Sequence, residues 1–522
     1  MQFTSWAFLL FLAVLVPVYF LVPKRIQWIV LLLANAVFVC FAGLFDAVCL
    51  LLTVAAAYGT ARWLSGSFAR QRETLAAMKE THTKEERKAA RLRFEKQRRL
   101  LLIVYFAFSL LQLFVFRYMA EASMELFHRA PGLRIAVTLG AAYYMLSTFG
   151  YVLDVSRETV AAEKNPFRFA LYVSFFPLLI QGPITHFDTV GQQLFSPHTF
   201  DGKRFLSAAL RITWGYWKML LISGRLNAAV AALTADPARF TGAYILLEMA
   251  LHAIRLYAGF TGSIDIAIGV GELFGVTVEE NFFRPFFSKS ISEYWRRWHI
   301  TLGDWFKRYV YYPLSVSKPM RALSKSTRKL GAGVSRRVPV YLATILVWAL
   351  TGLWHGFRLT FLVWGLLNGI VILLSEELKP LYARFRARFP KLTESAFYRG
   401  FTVLRTVFLL SSLRILDCYD TVKDAFSAFF SIFTKWNIGE VLGGGWRVTG
   451  LSPFDRIVVG VGVLLMFTLS MIQRKGPIRK RLTDRGVVLS VCVLLLLIGT
   501  ILVFGRYGFG FDASQFIYNQ RY

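Results

Sequence analysis

The sequence predicts an all-α, polytopic integral membrane helical bundle, and three observations carry that expectation. The 522 residues are 56% hydrophobic with a positive mean hydropathy, too apolar for a soluble protein of ordinary composition. Apolar stretches long enough to cross roughly 30 Å of hydrocarbon recur about a dozen times. Lys and Arg outnumber Asp and Glu 61 to 31, and the excess lies in the segments between the apolar runs. So basic a balance raises nucleic acid as a partner. The placement of the charge argues for membrane lipid and against nucleic acid.

The expected spans lie near 6–22, 26–43, 46–63, 100–117, 134–153, 167–185, 206–222, 241–262, 338–354, 359–375, 399–416, 455–472 and 486–504, some of them re-entrant. The run at 6–22 lacks a basic leader and a small-residue cleavage site, and another apolar run follows almost at once, so it is read as a retained first span. No fixed-period repeat, P-loop or dinucleotide fingerprint interrupts the pattern, so residues 1–522 are expected to form a single membrane domain. Cys40, Cys49, Cys418 and Cys492 show no CxxC pair and no metal-ligand spacing. They are expected to be buried, unpaired thiols, and no metal is expected.

Orientation follows from the basic connections. Residues 70–99 hold eleven Lys or Arg, and 318–337, 379–391 and 474–485 are similarly rich, so all four should face the cytoplasm. Within this frame residues 68–99 form a cytoplasmic basic helical loop lying near anionic headgroups. Counting spans back from Arg70 and forward from Arg485 places both termini, including a tail at 505–522, outside the cytoplasm.

Two of the seven histidines stand in unusual places. His355, in "WALTGLWHGFRLTFLVWG", lies where two apolar runs double back within barely a turn, and an ionisable group there is a functional candidate by default. It is either a general base or a core histidine bonded to a carbonyl. His299 lies in "YWRRWHITLGDWFKRYVYYPL". On helical spacing Trp295, Trp298, His299, Leu302, Trp305, Phe306 and Tyr309 make one aromatic face, which predicts a continuous amphipathic helix from Tyr294 to Tyr309 in the interface. Anchor and site are both open for it. His82, His128, His186 and His198 fall in polar or turn-rich connections, and His252 is either a packed polar residue or a tunnel lining.

The pair formed by "SISEYWRRWHITLGDWFKRYVYYPL" and the histidine of "GLWHG" 56 positions beyond His299 resembles the signature of the membrane-bound O-acyltransferase family. "YYMLSTFGYVLDVSR", "FPLLIQGPITHF" and "YAGFTGSIDIAIGVGELFGVTVEENFFRPF" resemble its bacterial branch, which includes alginate O-acetylation and teichoic-acid D-alanyl transfer proteins. The resemblance runs from about Tyr143 to Asn368. It implies re-entrant and interfacial helices around a transmembrane tunnel, with His355 matching the catalytic histidine and His299 the second histidine of the motif. Where the family often carries two acids in its "FDFSGYSDMAIG" stretch, this chain keeps only Asp265, and its "FKRYVYYPLSVSKP" lacks the acid and the glycines of the family's "LRDYLYIPLGG" continuation.

The implied activity is O-acyl transfer in a bacterial plasma membrane. An acyl thioester, acetyl-coenzyme A or an acyl or D-alanyl carrier protein, approaches from the cytoplasm as substrate rather than as a bound cofactor. The acceptor is a hydroxyl of an extracytoplasmic cell-envelope polysaccharide or of an acyl-accepting partner protein. Acetyl is the first expectation for the acyl group and D-alanyl the alternative. On this implication His355 and His299 are the catalytic pair, His355 as the base and His299 either shaping the donor's way in, the preferred reading, or joining the chemistry, with Trp298, Asp265, Trp354 and Asn368 as tunnel or substrate contacts, Asn368 also as a possible electrostatic helper. In the tail, Tyr518 of "FIYNQRY" is either an acyl relay or part of an aromatic anchor. Outside this class, a transporter also fits a dozen spans with intramembrane polar groups, but no inverted repeat supports it.

Overall fold

The computed structural model describes residues 1–115 and 140–507, and among them regular structure is helical apart from one isolated antiparallel bridge, Phe282 with Trp298. Among the described residues seven helices are long and apolar enough to cross a membrane: α1 (Leu44–Ala77), α2 (Lys84–Phe114), α3 (Ala243–Leu273), α4 (Ala332–His355), α5 (Leu359–Glu377), α6 (Pro453–Ile472) and α7 (Val487–Phe504). Each corresponds to one of the expected spans. The chain is therefore an all-α polytopic membrane protein. It divides into two compact units, one of residues 1–205 with 270–279 and the other of 206–269 with the chain from 280 onward.

In the first unit, the basic stretch expected as a single helical loop is instead the meeting point of two spans. α1 runs to Ala77, the chain turns, and α2 starts at Lys84 behind a capping box in which the Glu86 amide donates to Thr83 Oγ1 and the Thr83 amide to Glu86 Oε2. Arg98, buried between them, donates to Gln71 Oε1 at 2.6 Å and lies over Phe68.

The run at 167–185 does not form a span, despite its composition. The helix Pro166–Ser174 stops at Phe175, and only a single turn, Phe176–Leu179, follows. Pro177 offers no amide proton there. Asn35 catches the break, its Oδ1 accepting from the Phe176 amide at 3.0 Å and its Nδ2 donating to Ser174 Oγ at 3.0 Å. Phe8, Phe11, Phe38 and Phe176 close around the point with edge-on and tilted ring contacts.

In the second unit the run at 206–222 is the end of Gly202–Trp217 continued as a π-helical stretch, Lys218–Ser223, and it carries two buried cations. It lies close against α3: a Cβ at Gly215 would stand 2.6 Å from the Gly262 carbonyl oxygen. α4 and α5 form a tight hairpin, as the doubling-back near Gly356 predicts. Gly352 and Gly365 face each other where they cross, so that a Cβ on Gly365 would stand 3.1 Å from the Gly352 Cα and drive into the Trp348 carbonyl. None of the four cysteines is joined in a disulfide, but only Cys49 and Cys418 are buried. Cys40 and Cys492 are exposed on apolar helices, which a lipid-facing position explains.

Candidate active site

The α4–α5 hairpin fixes the first histidine. His355 is the last residue of α4, and Thr344, Val347, Trp348, Thr351 and His355 stand at positions i, i+3, i+4, i+7 and i+11, the spacing that lines up side chains along one helix face. That stripe is one wall of a cavity of about 280 Å³. The His355 imidazole is buried, and the Trp364 indole of α5 meets it edge-on at 5.1 Å and 90°.

The opposite wall comes from the Trp-rich stretch, but not as the continuous helix its periodicity predicts. A short helix, Ile291–Trp295, and a second, Ile300–Phe306, are separated by a break at His299, whose backbone is left-handed at φ 50°. In an unbroken helix the Ile300 and Thr301 amides would donate to carbonyls four residues back. Here Ile300 donates to the Asn281 carbonyl at 3.0 Å, Thr301 to Asn281 Oδ1 at 3.1 Å, and the Arg297 carbonyl accepts from Phe283. These bonds offset a left-handed conformation that costs an L residue about 1–2 kcal/mol. The periodicity nonetheless identified six of its seven side chains as buried, since Trp298, His299, Leu302, Trp305, Phe306 and Tyr309 are buried and Trp295 is half-buried.

The same asparagine sets the tautomer of His299. Asn281 Oδ1 must be the acceptor, because a backbone amide donates to it, so His299 Nδ1, 3.2 Å away, carries the proton. Burial, reinforced by the Arg414 charge, pushes the imidazole down to about 3. His299 is thus neutral at physiological pH, with its basic lone pair on Nε2.

Both histidines line the one cavity, and Trp354 stands against each, 4.8 Å from the His355 ring and 5.8 Å from that of His299. Trp298 lines the cavity too, stacked on Tyr294 at 5.4 Å. At the rim Lys307 is exposed and Tyr311 half-buried. A buried pair of imidazoles below a cationic mouth can hold and move a proton and can attract an anionic ligand.

Two expected residues sit elsewhere. Asp265 is not part of the cavity wall: it joins Arg211 at 2.9 Å and Lys218 at 2.7 Å in a buried ion network, and Arg211 also pairs with Glu280. Those cations were embedded in an apolar run, which is why a lone acid nearby reads as free for substrate. Asn368 lies behind the wall. Its Oδ1 accepts from Trp295 Nε1 at 3.2 Å and its Nδ2 donates to the Trp364 carbonyl, so it holds two indoles in place. Tyr518 lies outside the described residues. No motif in the sequence marks out Asn281, whereas Arg414 carries a readable signal, a cation inside the apolar run "VFLLSSLRILD" with an acid three residues on.

A model of the membrane-bound O-acyltransferase family matches residues 75–413, which takes in both histidines. The chain belongs to that family. It is 33% identical over 246 residues to a probable alginate O-acetylase of Azotobacter vinelandii, covering 47% of this chain and 46% of the relative. It is 32% identical over 258 residues to a peptidoglycan O-acetyltransferase of Helicobacter pylori, with 48% and 45% covered. A teichoic acid D-alanyltransferase of Bacillus subtilis is 26% identical over 273 residues, with 51% and 65% covered. The chain spans about half the length of these two O-acetyl-transfer relatives.

Proposed function

We propose that this family member transfers an acetyl group from a thioester donor on the cytoplasmic side of a bacterial plasma membrane to a hydroxyl of an extracytoplasmic envelope polysaccharide, with both chain termini outside the cytoplasm. The single observation behind the proposal is the shared cavity, in which His355 and His299 line one space with Trp354 against both rings. A thioester carbonyl admitted past Lys307 would meet the acceptor hydroxyl beside His355. The imidazole takes the hydroxyl proton as the oxygen attacks the carbonyl carbon. The tetrahedral intermediate then expels the thiolate, which recovers that proton and leaves as the thiol. The ester is the second product. The buried walls exclude water that would otherwise hydrolyse the donor.

D-alanyl transfer from a carrier-protein thioester is the second reading, favoured by the larger share, 65%, of the D-alanyltransferase that this chain covers. The two separate in one assay. Purified protein in lipid nanodiscs is given alginate oligosaccharides as acceptor with either acetyl-coenzyme A or a D-alanyl carrier protein, and thiol release and ester formation are measured. Ester formed from acetyl-coenzyme A supports the first reading. Ester formed only from the carrier protein replaces it with the second, and solute transport with no acylation from either removes both.

A further inference from the structure

Behind the cavity wall lies a cation that the reaction as written does not use. Arg414 ends the helix Ala396–Arg414 and is buried. Its guanidinium carbon lies 4.9 Å from the centre of the Trp364 ring, 5.6 Å from Trp298 and 5.9 Å from Trp295. Three indoles therefore converge on one planar cation, whose charge is attracted to their electron-rich faces. Trp295 and Trp298 line the cavity, while Trp364 is the ring set edge-on to His355. The two sequence regions that build the walls, 291–306 and the α4–α5 hairpin, thus meet at this guanidinium.

The cation is itself held from behind. Arg414 Nη1 donates to Asp417 Oδ2 at 2.8 Å, and that oxygen lies 3.8 Å from His252 Nε2. His252 Nδ1 faces Arg255 Nη2 at 3.0 Å, and since arginine can only donate, Nδ1 accepts and Nε2 carries the proton toward Asp417. Asp417 thus anchors one end of the guanidinium through a 2.8 Å hydrogen bond, with the His252 N–H facing the same carboxylate oxygen.

We propose that Arg414 is a positioning residue of the acyl-transfer site: anchored by Asp417, it holds Trp295, Trp298 and Trp364 together so that the cavity keeps its shape beside His355. The proposal rests on the acyl-transfer reading above. Lysine would keep the charge but not the function, because a compact ammonium cannot face three rings and a carboxylate at once, as a planar fork does.

The test compares Arg414→Lys, Arg414→Met and Asp417→Asn with the unaltered protein and with His355→Ala in nanodiscs, using acetyl-coenzyme A and alginate oligosaccharides. Melting temperature is recorded for each. The expected result is a kcat lowered roughly 10- to 100-fold in Arg414→Lys and further in Arg414→Met, since misplacement of about 1 Å carries such a cost. The donor KM should stay near its original value in Arg414→Lys, and the kcat loss should persist at temperatures well below melting. A residue needed only for stability would lose activity in step with its melting temperature. If neither Arg414 variant folds, Asp417→Asn decides, with lowered kcat supporting the proposal and unaltered kcat overturning it. Unaltered kcat in Arg414→Lys beside an inactive His355→Ala overturns the role of Arg414 and leaves the acyl-transfer reading standing. An unaltered protein that forms no ester, or a fully active His355→Ala, removes that reading and this inference with it.

Discussion

The two walls of the cavity are built in opposite ways. His355 rides on the end of a continuous 24-residue helix locked to its neighbour by facing glycines, and every residue of its stripe follows from helical spacing. His299 sits at a break, left-handed, with its backbone neighbours bonded to Asn281 instead of to their own helix. A regular element fixes a side chain through the hydrogen bonds it already has, whereas an irregular one needs a dedicated partner. The first is the better place for a group whose ring must stay aligned with a reacting hydroxyl. The second suits a group that shapes the space around it.

That contrast orders the expected effects. His355→Ala should lower turnover by about 10²–10⁴, the range for loss of a general base, with little change in melting temperature. Measured turnover within a factor of a few of the original would remove the distinction between the walls. Gly365→Ala should come next, as a loss of stability. Its Cβ drives into the Trp348 carbonyl and approaches the Gly352 Cα, so the hairpin must spread, at about 1–3 kcal/mol. Thermal unfolding in one detergent, compared with that of Gly400→Ala, where nothing lies within reach of a Cβ, isolates the crossing from a general glycine effect.

How much of this was readable beforehand follows the same division. Long apolar runs, basic loops and the reversal at Gly356 are local properties, and they led to the membrane class and the hairpin directly. The run at 167–185 misled because its break depends on Asn35, more than a hundred residues away. The helix predicted from Tyr294 to Tyr309 failed for the same reason: Asn281 and Phe283 take up its backbone groups, and nothing in the Trp-rich stretch announces them. Burial survived that error, since a side chain's preference for apolar surroundings does not depend on whether the backbone beneath it is helical. Asp265 shows the converse, an acid whose two cations come from another segment, so that spacing alone could not tell structural pairing from a binding role.

The smallest effect is the most discriminating between the walls, and it comes from His299→Asn. Asparagine tolerates the left-handed backbone better than most residues, and its Nδ2 occupies the place of His299 Nδ1, so the bond to Asn281 is retained. What disappears is Nε2 and the outer part of the ring. If His299 only shapes the cavity, turnover should fall less than the lower bound of about 10²-fold that marks loss of a general base. A larger loss would move His299 into the chemistry. The variant should also change the acid stability. A histidine titrating near 6.5 when unfolded and at about 3 when folded contributes stability that is fully present above the unfolded value and declines as pH falls through that interval. The unaltered protein should therefore lose melting temperature between those two values faster than His299→Asn, because only its unfolded chain gains a proton at this position. Parallel slopes would mean that the folded imidazole takes up its proton near 6.5, and so is not sealed against Asn281 and Phe260 as the geometry requires.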